Sequence, residues 1–142
     1  MRLRYALALV ALWGAGCGDQ KVASVSGRVT LDGQPLPGAH VVFQPIAAGK
    51  DVNPGSGSYG ITDANGRYTL TVVDTGQSGA FIGKHRVEIT IRSDEDDDTD
   101  RRGRRPAAKV VLPARYNRNS QLTADVSSKG TKEADFALTT KP

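Results

Sequence analysis

Closely spaced acidic side chains are the residues of this sequence most suited to binding a metal. The helix-loop-helix calcium motif needs glycine at its sixth position and an acid at its twelfth, where Thr99 and Arg105 stand. We therefore expect no metal site. We interpret residues 94–105, which comprise the acidic run and the arginines that follow it, as a charged, solvated loop. Calcium nevertheless stays a weaker alternative, because a loop could wrap four alternating carboxylates around a hard cation. These candidate ligands are Asp94, Asp96, Asp98 and Asp100.

The two histidines are the next candidates for metal binding or acid-base chemistry. His85 alternates with Val87 and Ile89, which predicts a ring at the margin of the core with its hydrogen bond satisfied. His40 has the opposite parity from Phe43, which predicts a solvent-facing position. No serine stands in a recognisable nucleophile motif with a histidine, and no glycine-rich phosphate loop opens a helix. The sequence therefore predicts a protein with no catalytic activity and no cofactor.

Sugar binding usually needs exposed aromatic rings for stacking. The single tryptophan, Trp13, lies in the apolar N-terminal segment, and most other aromatic residues fall at core positions of predicted strands. Tyr59 and Tyr116 are the two rings that we expect at the surface. They make a thin platform, so a glycan is the alternative ligand and not the first expectation.

The N-terminal segment has the layout of an export signal. Arg2 and Arg4 precede an apolar run from Tyr5 to Trp13, and small residues follow at 14–16. The run is well short of the roughly 20 apolar residues that cross a bilayer as a helix. We assign residues 1–16 to a signal peptide and expect the protein to be exported.

Cys17 is the only cysteine and follows those small residues directly. An unpaired cysteine in an exported chain calls for an explanation. With Ala15 and Gly16 before it, Cys17 resembles the lipidated cysteine in the lipobox of bacterial lipoproteins. The resemblance implies an acyl anchor on Cys17 and a short tether over 17–21 that hold the protein to a membrane of the cell envelope. Gly14 departs from the aliphatic residue usual in that motif, so cleavage without lipidation is the alternative.

Composition and charge favour one small β-rich domain. The chain has 142 residues with 38% hydrophobic and 24% charged content, and its 16 glycines and 7 prolines suit short strands joined by turns. The net charge is +4, and it falls to +2 once Arg2 and Arg4 leave with the signal. Because nucleic-acid binding needs a clustered basic face, we expect no nucleic-acid partner.

Period-two alternation of apolar and polar residues predicts strands from Val22 onward. Turn residues at 32–38 and 63–66 are expected to reverse the chain, the second as a tight hairpin with Asn65 and Gly66 at positive φ. The pair 81–82 is expected to tuck beneath a flexible stretch, and helix to be nearly absent. The predicted strands lie at 25–31, 39–44, 59–62, 67–73, 85–92, 109–112, 121–126 and 134–139.

Short motifs in this series resemble the carboxypeptidase regulatory-like domain. They lie at 27–29, 32–39, 62–68 and 83–87, and the stretches 112–117 and 122–126 resemble the tail of a bacterial lipoprotein subfamily with one such domain. The resemblance implies an all-β, transthyretin-like (prealbumin-like) sandwich of immunoglobulin type, with about seven strands over residues 22–139. Such domains are generally non-catalytic accessory or interaction modules. We therefore expect an envelope lipoprotein whose domain has a structural or protein-interaction role, or alternatively binds a glycan or a divalent cation.

The lipid anchor predicts a specific intact mass. Native protein from its own membrane fraction should begin at Cys17 and carry added acyl mass, because the modified cysteine becomes the first residue of the mature chain. A Cys17→Ser variant should lose that added mass. A plain peptide mass that begins elsewhere would contradict the prediction and leave an exported protein without an anchor.

Overall fold

The computed structural model describes residues 21–50, 53–92 and 110–142, and this part of the chain is nearly all β-structure. The all-β class is therefore confirmed for these residues. One 3₁₀ turn, Ala114–Tyr116, interrupts the strands there. The strands are β1 (Val22–Ala23), β2 (Ser26–Leu31), β3 (Gln34–Pro35), β4 (Ala39–Pro45), β5 (Ser58–Ile61), β6 (Arg67–Thr69), β7 (Thr71–Val72), β8 (Ala80–Phe81), β9 (Gly83–Ile91), β10 (Thr123–Val126) and β11 (Phe136–Leu138).

Several residues singled out by the sequence lie outside the described ranges. They are the signal at 1–16, Cys17 with the tether up to residue 20, and the acidic candidates Asp94, Asp96, Asp98 and Asp100. Their assignments stay predictions. Among the described residues, no helix is long and apolar enough to cross a bilayer.

A five-stranded antiparallel sheet, in the order β10-β9-β4-β5-β7, is the larger unit of the fold. Its longest ladder joins β4 to β9 over seven residue pairs, from Ala39 opposite Ile91 to Pro45 opposite His85. The predicted alternation is confirmed in these strands, since Val41, Phe43 and Val87 are fully buried. Their neighbours along each strand point to the other face.

The second sheet is organised around β2. Strand β2 pairs with β3 through a two-residue turn. It also pairs with β6 in antiparallel register and with β11 in parallel register. Asp32 and Gly33 both take positive φ in that turn, as the predicted chain reversal requires. A separate two-stranded ladder joins β1 to β8. The strands β1, β3 and β8 were not predicted because two residues are too few to show an alternating pattern.

One hydrophobic core is shared by the two larger sheets. Phe43 on β4 meets Phe136 on β11 edge to face, with ring centroids 6.2 Å apart. Tyr68, Leu70 and Val72 all point inward, as predicted. Burial of these side chains supplies the main stabilisation, at roughly 25 cal/mol for each Å² of apolar surface removed from water.

The predicted strand at 109–112 is wrong over its described residues. Residues 110–112 form no strand, and Leu112 packs into the core from a non-ladder conformation. The following Pro113 has no N–H to continue a ladder, and its carbonyl instead accepts a hydrogen bond from Tyr116 N in the 3₁₀ turn. Alternation over four residues was too weak a signal to outweigh the proline.

The turn at 63–66 reverses the chain, but the predicted continuous hairpin is wrong. Gly66 has a φ of +73°, and Asp63 Oδ1 accepts hydrogen bonds from the N–H groups of Asn65 and Arg67. Asn65 does not take positive φ. The predicted strand 67–73 divides into β6, which pairs with β2, and β7, which pairs with β5.

A close backbone approach explains this division. A Cβ atom on Gly60 would lie 2.3 Å from the carbonyl oxygen of Thr69, so only glycine lets the two backbones pass. Beyond that point Leu70 N donates to Val25 O, and the chain crosses from one sheet to the other. The hydroxyl of Tyr68 donates to Ala134 O and ties β6 to the segment before β11. Burial raises the pKa of Tyr68, which keeps this hydroxyl protonated as a donor.

The Tyr68 hydrogen bond predicts a measurable stability difference between two matched variants. Tyr68→Phe should lower the free energy of unfolding by about 1–2 kcal/mol, because it leaves the carbonyl of Ala134 without its donor. Tyr59→Phe removes the same hydroxyl from an exposed ring and should change it by less than about 0.5 kcal/mol. Urea denaturation of both variants measures the difference. Equal losses would show that the buried bond adds nothing.

Candidate functional site

His85 is a core residue of β9 and is only 1% exposed. Its Nδ1 lies 3.1 Å from the carbonyl oxygen of Gly83, and its ring centroid lies 5.7 Å from that of Phe43. Because a carbonyl oxygen only accepts, Nδ1 carries the proton and Nε2 presents a lone pair. Burial lowers the pKa of His85, against smaller opposing effects of the Gly83 hydrogen bond and the Asp125 charge. The predicted burial is confirmed.

The second nitrogen of His85 departs from the expected satisfied hydrogen bond. Nε2 is buried and has no hydrogen-bond partner among the described residues. A small cavity of about 150 Å³ lies beside this histidine, and the residues of the described chain that line it include Lys21 and Lys84 but no acid or nucleophile. This arrangement lacks the partner that would make His85 a general base.

His40 lies on the opposite face of the same sheet. It stands opposite Ile61 of β5 and Thr90 of β9, and it is half-buried. Its predicted outward parity is confirmed. Since His85 points into the core and His40 points outward, the fold keeps the two histidines from converging on one metal or substrate.

The outer face of the five-stranded sheet carries the most exposed apolar side chains of its strands. Tyr59 and Ile61 on β5 are 46% and 52% exposed, and Val42 on β4 stands directly opposite Tyr59. Polar groups flank this strip, including the ion pair of Arg86 Nη2 with Glu88 Oε1 at 3.5 Å. We name the following set the outer face: His40, Val42, Gln44, Tyr59, Ile61, Thr71, Arg86, Glu88 and Thr90.

A broad open cleft of about 720 Å³ adjoins the outer face, and Ile61 lines both. Two of its carboxylates already accept backbone hydrogen bonds, since Asp63 holds its own turn and Asp135 Oδ1 accepts from Arg28 N at 2.7 Å. No sequence motif predicted this cleft, because its charged residues come from three segments that are distant in the chain. Its charged residues are Arg28, Asp63, Arg67, Lys132, Glu133 and Asp135.

Tyr116 does not form the exposed platform that was expected. It is half-buried, its hydroxyl accepts a hydrogen bond from Thr139 N at 3.1 Å, and the guanidinium carbon of Arg115 lies 4.9 Å from its ring centroid. The 3₁₀ turn directs this ring toward the C-terminal segment, which periodicity did not indicate. Tyr59 is therefore the more exposed of the two rings, and its predicted exposure is confirmed.

Across 21–50, 53–92 and 110–142, no group of three or more His, Cys, Asp or Glu side chains is placed to hold an ion. The aspartates of the 94–100 run fall outside those ranges, so the calcium alternative is untouched by this finding.

Comparison of the chain with protein-family models, with curated proteins and with solved structures found no match. The functional assignment below therefore depends on the residues and on their geometry.

The buried His85 predicts a pH-dependent stability. Its pKa is lower in the folded chain than in the unfolded chain, so below about pH 6.5 the unfolded chain binds a proton that the folded chain does not. The free energy of unfolding should therefore fall as the pH falls below about 6.5. When the free energy of unfolding is measured by urea denaturation at several pH values, it should change less with pH in His85→Asn than in the wild type. A pH dependence in His85→Asn equal to that of the wild type would contradict the assignment.

Proposed function

We propose that this protein is a non-catalytic lipoprotein of the cell envelope, with a signal peptide at 1–16, an acylated Cys17 with a tether over 17–21, and a single interaction domain over 22–139. The N-terminal sequence pattern supports export and anchoring. Two larger sheets around one core support a β-sandwich, and the motif resemblance supports a domain of the carboxypeptidase regulatory-like, transthyretin-like kind. The likeness to that family is part of the proposal.

The single observation that carries the interaction role is the exposed apolar strip of the outer face. In a sheet with one solvated face, the outward positions are usually polar. Here Val42, Tyr59 and Ile61 occupy outward positions on two adjacent strands, with charged and amide groups around them. A central apolar strip with a polar rim is the usual construction of a protein-protein interface. We assign the outer face to contact with another protein of the envelope.

Glycan binding is the second candidate, and the exposed ring of Tyr59 favours it. The ring stands in a cross-strand row with Val42, Glu88 and Thr71. An aromatic ring can stack on the apolar face of a sugar, while a neighbouring carboxylate and hydroxyl can bind sugar hydroxyls. Both candidates use the same face, so one set of variants can distinguish them.

Site-specific crosslinking in intact cells tests the protein-interaction role. A photoreactive benzophenone amino acid in place of Tyr59 preserves an aromatic ring and should give one discrete protein adduct. The same amino acid in place of Lys129, in the turn after β10, serves as the control and should give none. Ile61→Asp, added to the Tyr59 variant, should weaken the adduct about tenfold, because a charge at the centre of an apolar contact costs more than 1 kcal/mol.

The remaining outcomes are equally informative. Binding on a glycan array that disappears in Tyr59→Ala, without a protein adduct in cells, would replace the protein partner with a sugar. Equal adducts from positions 59 and 129, or neither an adduct nor glycan binding, would overturn the assignment of the outer face.

A further inference from the structure

Two lysines and two isoleucines form a patch at the end of the domain where the chain enters it. Ile46 and Ile82 are 42% and 40% exposed, and Lys21 and Lys84 are exposed beside them. All four line the small cavity next to His85. The exposure of Ile82 corrects the expectation that it tucks beneath the loop. We name these four residues the basal patch.

Backbone hydrogen bonds hold the basal patch together. Ile82 N donates to the carbonyl oxygen of Lys21, and Ile46 N donates to that of Lys84, each at 2.9 Å. The first bond continues the β1-β8 ladder and the second continues the β4-β9 ladder. The backbone positions from which the four side chains project are therefore fixed relative to one another.

The charge of the basal patch is positive. Within the described part of the chain, the residues that line its cavity include no acid. The acid opposite Lys84 in the ladder is Asp125 on the edge strand β10. Lysine beside exposed isoleucine is the combination that a bilayer interface accepts, since ammonium groups contact headgroup phosphates while aliphatic chains enter the acyl boundary.

The length of chain between the basal patch and Cys17 brings the patch to the membrane. Four residue steps separate Cys17 from Lys21, and a fully extended chain covers at most about 3.6 Å per residue, or about 14 Å in total. An acyl anchor on Cys17 therefore holds Lys21 within about 14 Å of the membrane surface. Lys21 is the first described residue after Cys17, so the anchor limits the distance of this end from the membrane more closely than that of any other part of the described domain.

We propose that the basal patch is a membrane-docking surface that seats the domain on an anionic lipid bilayer. This inference rests on the proposed lipid anchor and adds a defined orientation to it. Lys21 and Lys84 contact phosphate groups of the lipids, and Ile46 and Ile82 enter the interface between headgroups and acyl chains.

Docking in this orientation directs the far end of the outer face away from the lipid. Thr90, which stands with His40 and Ile61 in one cross-strand row, lies six residues from Lys84 along β9, or about 20 Å. The cleft lined by Ile61 lies toward that end as well. The same anchor thus holds the domain on the membrane and presents its interaction surface to the surroundings.

Depth-dependent fluorescence quenching tests the orientation. The full mature lipoprotein, carrying Ile82→Cys labelled with a polarity-sensitive dye, is reconstituted into phosphatidylethanolamine-phosphatidylglycerol vesicles that contain a spin-labelled lipid quencher. The acylated Cys17 has no free thiol, so the label is site-specific. The dye at position 82 should be quenched and its emission should shift to the blue. The dye on Ile61→Cys should show neither change. Equal quenching at both sites, or none at position 82, overturns the proposal.

Charge variants and the lipid composition give an independent readout. Lys21→Gln and Lys84→Gln should each reduce the ratio of docked to undocked protein about fivefold on anionic vesicles. On phosphatidylcholine vesicles, the wild-type protein should already show the low ratio of docked to undocked protein that the variants show on anionic vesicles. Circular dichroism identifies a variant that has failed to fold, and Lys141→Gln, near Asp32 at the opposite end of the domain, is the exposed control. Unchanged quenching in the Lys21→Gln, Lys84→Gln double variant overturns the role of charge.

The intact mass separates this inference from the proposed function. Acyl mass on Cys17 without quenching at position 82 overturns the docking surface and leaves the lipoprotein assignment standing. A native chain without acyl mass overturns the anchor. That same chain is then sedimented with the anionic vesicles. Salt-sensitive binding that is lost in the double variant supports the basal patch, and absence of binding overturns it.

Discussion

The ladder between β4 and β9 determines the placement of both histidines, of the outer face and of part of the basal patch. Its seven residue pairs fix which side chains enter the core and which face solvent. A slip of one residue would move Phe43 into water and bury Val42, so the register is strongly specified by hydrophobic burial. The inward position of His85 and the outward position of His40 both follow from this register. Continued by the bond from Ile46 N to Lys84 O, the same ladder also places half of the basal patch.

The second organising feature is the passage of the chain between sheets after the turn at 63–66. β6 completes one sheet and β7 completes the other, with Leu70 between them bonded to Val25. Gly60 permits the crossing because a side chain there would collide with the backbone of Thr69. The crossing couples the two sheets covalently within a few residues. It also brings the turn at 63–66 beside β2, where the two together border the open cleft.

These constraints divide the domain into regions with different proposed roles. One end carries Lys21 and Lys84 near the point where a lipid anchor would hold it. The other end carries Ile61, which joins the exposed strip of the outer face to the charged cleft. The interior holds His85, which is enclosed beside Phe43 and hydrogen-bonded to its own strand. The proposed function therefore uses the two ends and the outer face of the domain and does not use its interior.

The sequence alone determined the all-β class, the faces of the longer strands and the inward position of His85, because alternation of apolar residues is a local property that burial then enforces. It also determined the exposure of Tyr59, whose parity opposes that of the buried Ser58 and Gly60. Only the tertiary structure decided the division of 67–73 between two sheets, the half-buried position of Tyr116, and the meeting of residues 21, 46, 82 and 84 in one patch. These outcomes depend on contacts between segments far apart in the chain, such as Thr139 with Tyr116, and local periodicity carries no information about which distant segments meet.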